Sequence, residues 1–339
     1  MFGNNTGDSM KDKAKELFDK LCEKLRGLPP QYAALLLCAA LILVLIPISI
    51  AGSKRAEKND SSSEAEESAE EITDSIDREV PATEESSEPE EDHIRELADL
   101  EQQISERLPE FPGEWCCYMK SMKTGSWFVI NDHDLYPASM IKLFAMGACY
   151  QKIEDGFITE DEVYSNLYGM EVMSNNQAFN NIVWAIGKTY ITEWCHENGY
   201  THTYQNHGLT PSTNAEGLAT SDEPNQTCVS DVGHMLEDIY NGTCVSESAC
   251  ERMLDLLFNQ HWRTKIPMGI PYDPNVKIGN KTGDTYDVSH DAAIVYTPDG
   301  DYVLVLMAEA ESISFDLDMY FWEISRLVYD FIYPEHMGG

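Results

Sequence analysis

Residues 136–156 read YPASMIKLFAMGACYQKIEDG. Pro137 ends the preceding segment, and from Ile141 to Tyr150 the apolar residues follow helical spacing. Ser139 and Lys142 stand three apart at that helix start, so their side chains share a face. A hydroxyl is a poor nucleophile until a base takes its proton. A lysine buried beside other cationic groups has a depressed pKa and can be that base. The helix N-terminus also favours developing negative charge. Alone, the pair is better read as a capping serine and a lysine that snorkels to solvent. What lies further along the chain changes that balance.

Ser174-Asn175-Asn176 precedes a helical run, Gln177–Gly187. The second hydroxyl can pass a proton to a leaving nitrogen, and the Asn176 amide can hold a substrate backbone; the plainer alternative is another helix cap. Lys281-Thr282-Gly283 closes a strand-like run that begins at Val276. There a cation and a hydroxyl on a strand edge can bind a substrate carboxylate, or can simply be exposed. A second K-T-G, Lys123-Thr124-Gly125, falls between two strand-like runs, Glu114–Met122 and Ser126–Ile130. It reads as a hairpin turn in which glycine supplies the unusual backbone angle, and it receives no catalytic role. Asn280-Lys281-Thr282 also matches a glycosylation sequon, which is discounted because nothing else points to that processing.

The surrounding pattern is mixed. Residues 93–107 have helical periodicity, and Pro109, Pro112 and Gly113 break it. Between 145 and 265 the chain reads mostly as helices, including Val229–Tyr240 and Glu247–Phe258. Residues 200–226 are polar and aperiodic, a long loop of the kind that often carries function. Strands follow at Val276–Thr282, Asp291–Tyr296 and Tyr302–Ala308, then an amphipathic helix over 316–333. The order is helix, two strands, helical block, three strands, helix, and the early and late strands can meet in one sheet. There are no internal repeats.

The N-terminal part differs in kind. Residues 31–51, QYAALLLCAALILVLIPISIA, carry no charge and suffice to span a bilayer as a helix. More cations precede this segment (Lys11, Lys13, Lys15, Lys20, Lys24, Arg26) than follow it (Lys54, Arg55, Lys58), which predicts a cytoplasmic N-terminal segment, 1–30, and an exported remainder. A cleaved signal peptide ending at Ser49-Ile50-Ala51 is the rival; the long leading segment and long apolar run favour an uncleaved anchor. Leu35-Leu36-Leu37-Cys38 lacks the small residue of a lipoprotein box. Residues 52–94 are Ser/Glu-rich, with sixteen acids against four bases and no aromatic residue, and read as a disordered linker. Residues 95–339 form the folded domain.

The net charge of the whole chain is −36, and about 25 of those negative charges fall on 95–339, which argues against nucleic acid or anionic lipid as a partner. Seven of the nine cysteines lie in the exported part (Cys116, Cys117, Cys149, Cys195, Cys228, Cys244, Cys250), an odd count that leaves at least one thiol unpaired. No C-x-x-C is present, so neither zinc nor thioredoxin chemistry is expected, and no cofactor or metal is called for.

S-x-x-K, S-x-N and K-T-G, in that order, resemble the three elements that line the active site of penicillin-recognising serine enzymes. Residues 114–309 are similar to the catalytic domain of class A β-lactamases. YPASMIKLFAMGACYQKIEDG resembles the nucleophile helix, EVMSNNQAFNNIVWAIG (171–187) the S-D-N helix, and NKTGDTYDVSHDAAIVYTPDG (280–300) the K-T-G strand with its hairpin. The resemblance implies an α/β, β-lactamase/transpeptidase-like fold: an antiparallel sheet flanked by helices plus a helical subdomain, with the site between them. It implies Ser139 as the acylated nucleophile, Lys142 as base or proton relay, and Ser174 as proton shuttle. Asn176, Lys281, Thr282 and Gly283 would bind substrate, and the N–H groups of Ser139 and Asp284 would form the oxyanion hole. The implied substrate is a β-lactam or a peptidoglycan stem peptide.

Three departures accompany it. The family's deacylating Glu-x-x-Leu-Asn is missing; Thr210-Pro211 stands where Glu-Pro is expected, and Glu216 is the nearest acid. Ser139 and Ser174 are only 35 residues apart, short for the family, which implies a more open cleft. Asn175 replaces the middle aspartate, and Asp284 brings a carboxylate close to the oxyanion site, where it is expected to weaken it. The missing glutamate implies slow release of a β-lactam acyl-enzyme, as in a D-alanyl peptidase, while the fold resemblance favours a β-lactamase, and both readings are kept. The alternative is a non-catalytic wall-binding or sensing module on the same fold.

Overall fold

The computed structural model describes residues 88–311 and 317–334, with side chains from Leu97 onward. The N-terminal segment 1–30, the apolar stretch 31–51 and the linker up to residue 87 lie outside the described residues. Among the described residues no helix is long and apolar enough to cross a membrane.

Helix α1 spans Glu88–Arg107 and so begins inside the stretch read as linker. Pro89 falls in its first turn, where a missing N–H costs no helical bond. Strands β1 (Glu114–Ser121) and β2 (Trp127–Ile130) form a hairpin. A 3₁₀ turn at Ala138–Met140 leads into α2, Ile141–Glu154. The helical block continues with α3 (Glu160–Glu171), α4 (Asn176–Ile186), α5 (Tyr190–Glu197), α6 (Val229–Asn241) and α7 (Glu247–Phe258). A one-turn α8 (Ile266–Gly269) precedes β3 (Lys277–Asp284), β4 (Val288–Tyr296) and β5 (Tyr302–Glu309), and α9 (Asp318–Ile332) ends the fold.

The five strands form one antiparallel sheet in the order β2-β1-β5-β4-β3. Hydrophobic burial on both faces explains why its central strands are apolar throughout rather than alternating. Val303, Val305 and Met307 of β5 face the helical block, while Tyr302, Leu304, Leu306 and Ala308 face α1, α8 and α9. Cys116 and Tyr118 of β1 join the first set, and Trp115, Cys117 and Met119 the second. β3 is left at the edge, with one side of its backbone unpaired by any strand. All seven cysteines of the folded part are buried free thiols; Cys250 donates to the Cys244 carbonyl rather than bonding its sulfur.

Candidate active site

The nucleophile turn is clamped to the sheet from two sides. Burial holds His290 well below its usual range, at about 4, and neutral. Its Nε2 then donates to the Tyr136 carbonyl at 2.9 Å, while Nδ1 accepts from the Ala308 N–H at 3.2 Å. Gly283 of β3 packs directly on the same turn. A Cβ there would lie 2.9 Å from the Pro137 carbonyl oxygen and 3.1 Å from Met140 Cγ. Glycine is required at this position by proximity rather than by backbone angle. Ala138, just before the serine, adopts φ +45°, a left-handed conformation uncommon outside glycine and found disproportionately at functional sites.

Ser139 is half-buried, and Lys142, one helical turn on, is wholly buried. Lys142 Nζ lies 2.8 Å from Ser139 Oγ, 2.7 Å from the Ser174 carbonyl, 3.3 Å from Ser174 Oγ and 2.7 Å from Asn176 Oδ1. Burial pushes Lys142 down to about 6, assisted by the charge of Lys281 and opposed by Glu171. A neutral amine has two N–H donors and one lone pair. The Ser174 carbonyl and Asn176 Oδ1 can only accept, so they take both donors. The lone pair is then left for the Ser139 O–H, which is the geometry of a general base.

Ser174 is not a helix cap. Asn175 caps α4, its side chain accepting from the Ala178 N–H at 2.9 Å. Asparagine and aspartate serve this purpose about equally, which explains why Asn175 can stand where the resemblance expects aspartate. Ser174 itself sits at φ +53°, a strained angle that turns Oγ towards both lysines; Lys281 Nζ donates to it at 3.0 Å. Asn176 Nδ2 donates to the Thr210 carbonyl at 2.9 Å, and Asn180 brackets Leu209 through both its N–H and its carbonyl, so the 207–218 loop is pinned along α4.

Lys281 is wholly buried and also donates to the Thr282 carbonyl at 2.8 Å. Thr282 is buried, and its hydroxyl makes no hydrogen bond among the described residues. The side chain of Asn280 is bound to the Trp262 carbonyl and Asp291 and fully enclosed, so the sequon is inaccessible in the folded chain. Thr285 N–H bonds the Val288 carbonyl at 3.0 Å. The alternation of an antiparallel ladder therefore turns the Asp284 N–H away from β4, outward from the sheet edge. Ser139 lies in the first turn, where N–H groups have no helical partner.

Two expectations change. The exposed Asp284 carboxylate is ion-paired through Oδ1 with the buried Lys265 and accepts there from Ser289 Oγ at 3.1 Å, so it enters the site paired with a cation rather than as a lone carboxylate. Glu216 is exposed, and no hydrogen bond or ion pair joins it to the cluster. Glu171, the last residue of α3, is wholly buried with neither side-chain oxygen hydrogen-bonded among the described residues. Burial raises its pKa, and the charges of Lys281 and then Lys142 oppose the rise. Reasoning from sequence overlooked it. The available signal was a lone charge in an otherwise apolar stretch, Gly169-Met170-Glu171-Val172-Met173, three residues before Ser174.

Residues 99–166 and 163–332 match the profile of the Beta-lactamase enzyme family. Among solved structures, a protein named PBP-A aligns over 69% of this chain and 96% of its own, at 23% identity and TM-score 0.61. A mutant of PBP-A in an acyl-enzyme complex with penicillin G aligns at 22% identity and TM-score 0.60, over the same shares of the two chains. A β-lactamase from Sphaerobacter thermophilus aligns over 69% of this chain and 95% of its own, at 18% identity and TM-score 0.57. At these identities the structures show a shared fold. No curated protein sequence matches the chain.

Proposed function

The chain belongs to the Beta-lactamase enzyme family, and we propose that it is a serine hydrolase that opens a β-lactam or D-alanyl peptide amide through a Ser139 acyl-enzyme. The observation that supports this most directly is Lys142 Nζ, buried and 2.8 Å from Ser139 Oγ, with both its donors committed elsewhere.

In the proposed acylation, the Ser139 proton moves to Lys142 Nζ as Oγ bonds to the carbonyl carbon. The Ser139 and Asp284 N–H groups receive the oxyanion. As the C–N bond breaks, Ser174 Oγ, in contact with both lysines, delivers a proton to the leaving nitrogen and is reprotonated from Lys142. Lys142 ends neutral, and atoms and charge balance. Asn176, Lys281, Thr282 and the Gly283 edge hold the substrate. In this reading deacylation lacks a loop carboxylate to orient water, since the resemblance puts Thr210 where that carboxylate is expected and Glu216 is exposed. A long-lived acyl-enzyme follows, as in a penicillin-binding peptidase.

The segment 31–51 is proposed as a single-pass anchor, with 1–30 cytoplasmic, 52–87 as tether and the hydrolase domain outside the membrane. The test uses the full-length protein and its Ser139→Ala variant with a fluorescent penicillin and a chromogenic cephalosporin. The expected result is a covalent label that needs Ser139 and persists, with little turnover. Rapid turnover would replace the peptidase reading by a β-lactamase one. No label at all would favour a non-catalytic wall-binding module.

A further inference from the structure

Residues 260–263 bridge the two segments that carry Ser174 and Lys281. On one side, three successive carbonyls accept from three successive residues: Glu171 from Gln260 Nε2 at 2.8 Å, Val172 from the His261 N–H at 3.0 Å, and Met173 from Trp262 Nε1 at 3.4 Å. On the other side, Asn280 Nδ2 donates to the Trp262 carbonyl at 3.0 Å, Gln260 Nε2 also reaches the Asn280 carbonyl at 3.3 Å, and Arg263 donates to the Ile278 carbonyl at 3.0 Å. The residues next in line, Ser174 and Lys281, are the ones whose side chains meet at 3.0 Å. Trp262 therefore flanks that meeting point, with its indole N–H on the residue before Ser174 and its carbonyl on the residue before Lys281.

Backbone and amide groups suffice for this bridge, and the indole adds to it only one long hydrogen bond. Much of the ring stands in water: Trp262 is 47% exposed, and Met173, on whose carbonyl it rests, is 45% exposed. The His261 and Trp262 rings cross at 89° with centroids 5.0 Å apart, which braces the indole. Isolated exposed aromatics need no explanation, but here two large apolar side chains are held together beside reactive groups. A braced aromatic surface whose polar end is already satisfied is suited to receive a flat group of a ligand.

We propose that Trp262 determines specificity for the leaving group, forming with Met173 an apolar wall on that side of the cleft. In the acylation described above, Ser174 protonates the leaving nitrogen, and Lys281 and Thr282 hold the carboxylate attached to it. The leaving group therefore lies over the Ser174–Lys281 contact, with the indole at its flank. A carboxylate-bearing ring, such as the one fused to a β-lactam, covers this wall, whereas a small acyclic leaving group leaves it in water. The inference deepens the acyl-enzyme reading and rests on it for the direction in which the substrate lies.

The test measures acylation of the full-length protein by two compounds. One is a cephalosporin with an aromatic substituent on its dihydrothiazine ring; the other is an N-acyl-D-alanyl thioester whose leaving group is thioglycolate. Wild type, Trp262→Phe and Trp262→Ala are compared, with melting temperatures alongside. Trp262→Ala should lower the cephalosporin-to-thioester ratio of acylation rate constants about tenfold. Trp262→Phe, which keeps a ring but not the N–H, should restore most of that ratio. Calorimetry on Ser139→Ala protein should show the cephalosporin binding about tenfold more weakly once Trp262→Ala is added. Rates that fall equally for both compounds would make Trp262 a structural brace and overturn the proposal, as would an unchanged ratio. Absence of both binding and acylation would overturn it too. The calorimetry does not need the acyl-enzyme, so Trp262-dependent binding without acylation would retire that reading and leave a ring-binding wall on a non-catalytic module.

Discussion

The chain contains the tripeptide Lys-Thr-Gly twice, and the two copies have little in common beyond their letters. At 123–125 it turns the β1–β2 hairpin: Gly125 sits at φ +75°, its N–H bonds the Ser121 carbonyl at 2.9 Å, and a Cβ there would meet nothing within 4 Å. Lys123 is exposed and reaches the Asp299 carbonyl. At 281–283 the same letters lie on the edge strand. Lys281 is buried and bonded to Ser174 Oγ, and Gly283 is pressed on the nucleophile turn. In the first copy glycine is needed for its backbone angle, in the second for its missing side chain. The lesson is that a three-letter motif becomes chemistry only where the fold removes water from its cation and brings a partner to it.

The contrast is sharpest at the lysines. Lys281→Ala is expected to cut the rate of penicillin labelling by about a hundredfold or more, because it removes the carboxylate ligand and a contact of Ser174 together. It should also lower the melting temperature, since the hydrogen bonds of the buried Lys281 ammonium to Ser174 Oγ and the Thr282 carbonyl are lost and a cavity is left. Stopped-flow labelling and calorimetry on the same preparation read both effects. A variant that labels normally would break the comparison, placing Lys281 with Lys123 as a structural residue.

The glycines come next. Gly283→Ala must push β3 away from Pro137 and Met140, and a displacement near 1 Å at a reacting centre costs up to about a hundredfold in rate. Gly125→Ala meets only backbone strain, about 1 kcal/mol, and should leave labelling untouched. Denaturant melts paired with labelling rates separate these outcomes; equal losses of activity would show that both turns serve the site. The smallest effect is expected for Lys123→Ala, no more than about 0.5 kcal/mol in a melt and no change in label.

Periodicity carried far in this chain. The helix expected at Glu247–Phe258 is observed at those residues, and the five expected strands lie within three residues of the observed ones at either end. Apolar pattern makes such elements legible because burial acts on each element locally. The boundary at residue 94 was less legible: α1 starts at Glu88, within a stretch whose acidic composition reads as linker. The structure gathers Ser139, Lys142, Ser174, Asn176 and Lys281 into one hydrogen-bonded cluster, and it leaves Glu216 outside. The burial of Glu171 and the Lys265–Asp284 pair were not visible, because one charge in a helix looks the same whether the fold exposes it or encloses it.

By itself, then, the sequence determined which elements form, their order and the residue types available for acyl transfer, since these depend on spacing and hydrophobic pattern along the chain. Only the tertiary structure decided that Asn175 caps its helix while Ser174 is turned to the lysines, and which K-T-G is buried. Those outcomes depend on desolvation and on contacts between residues far apart in the chain, as between Ser174 and Lys281.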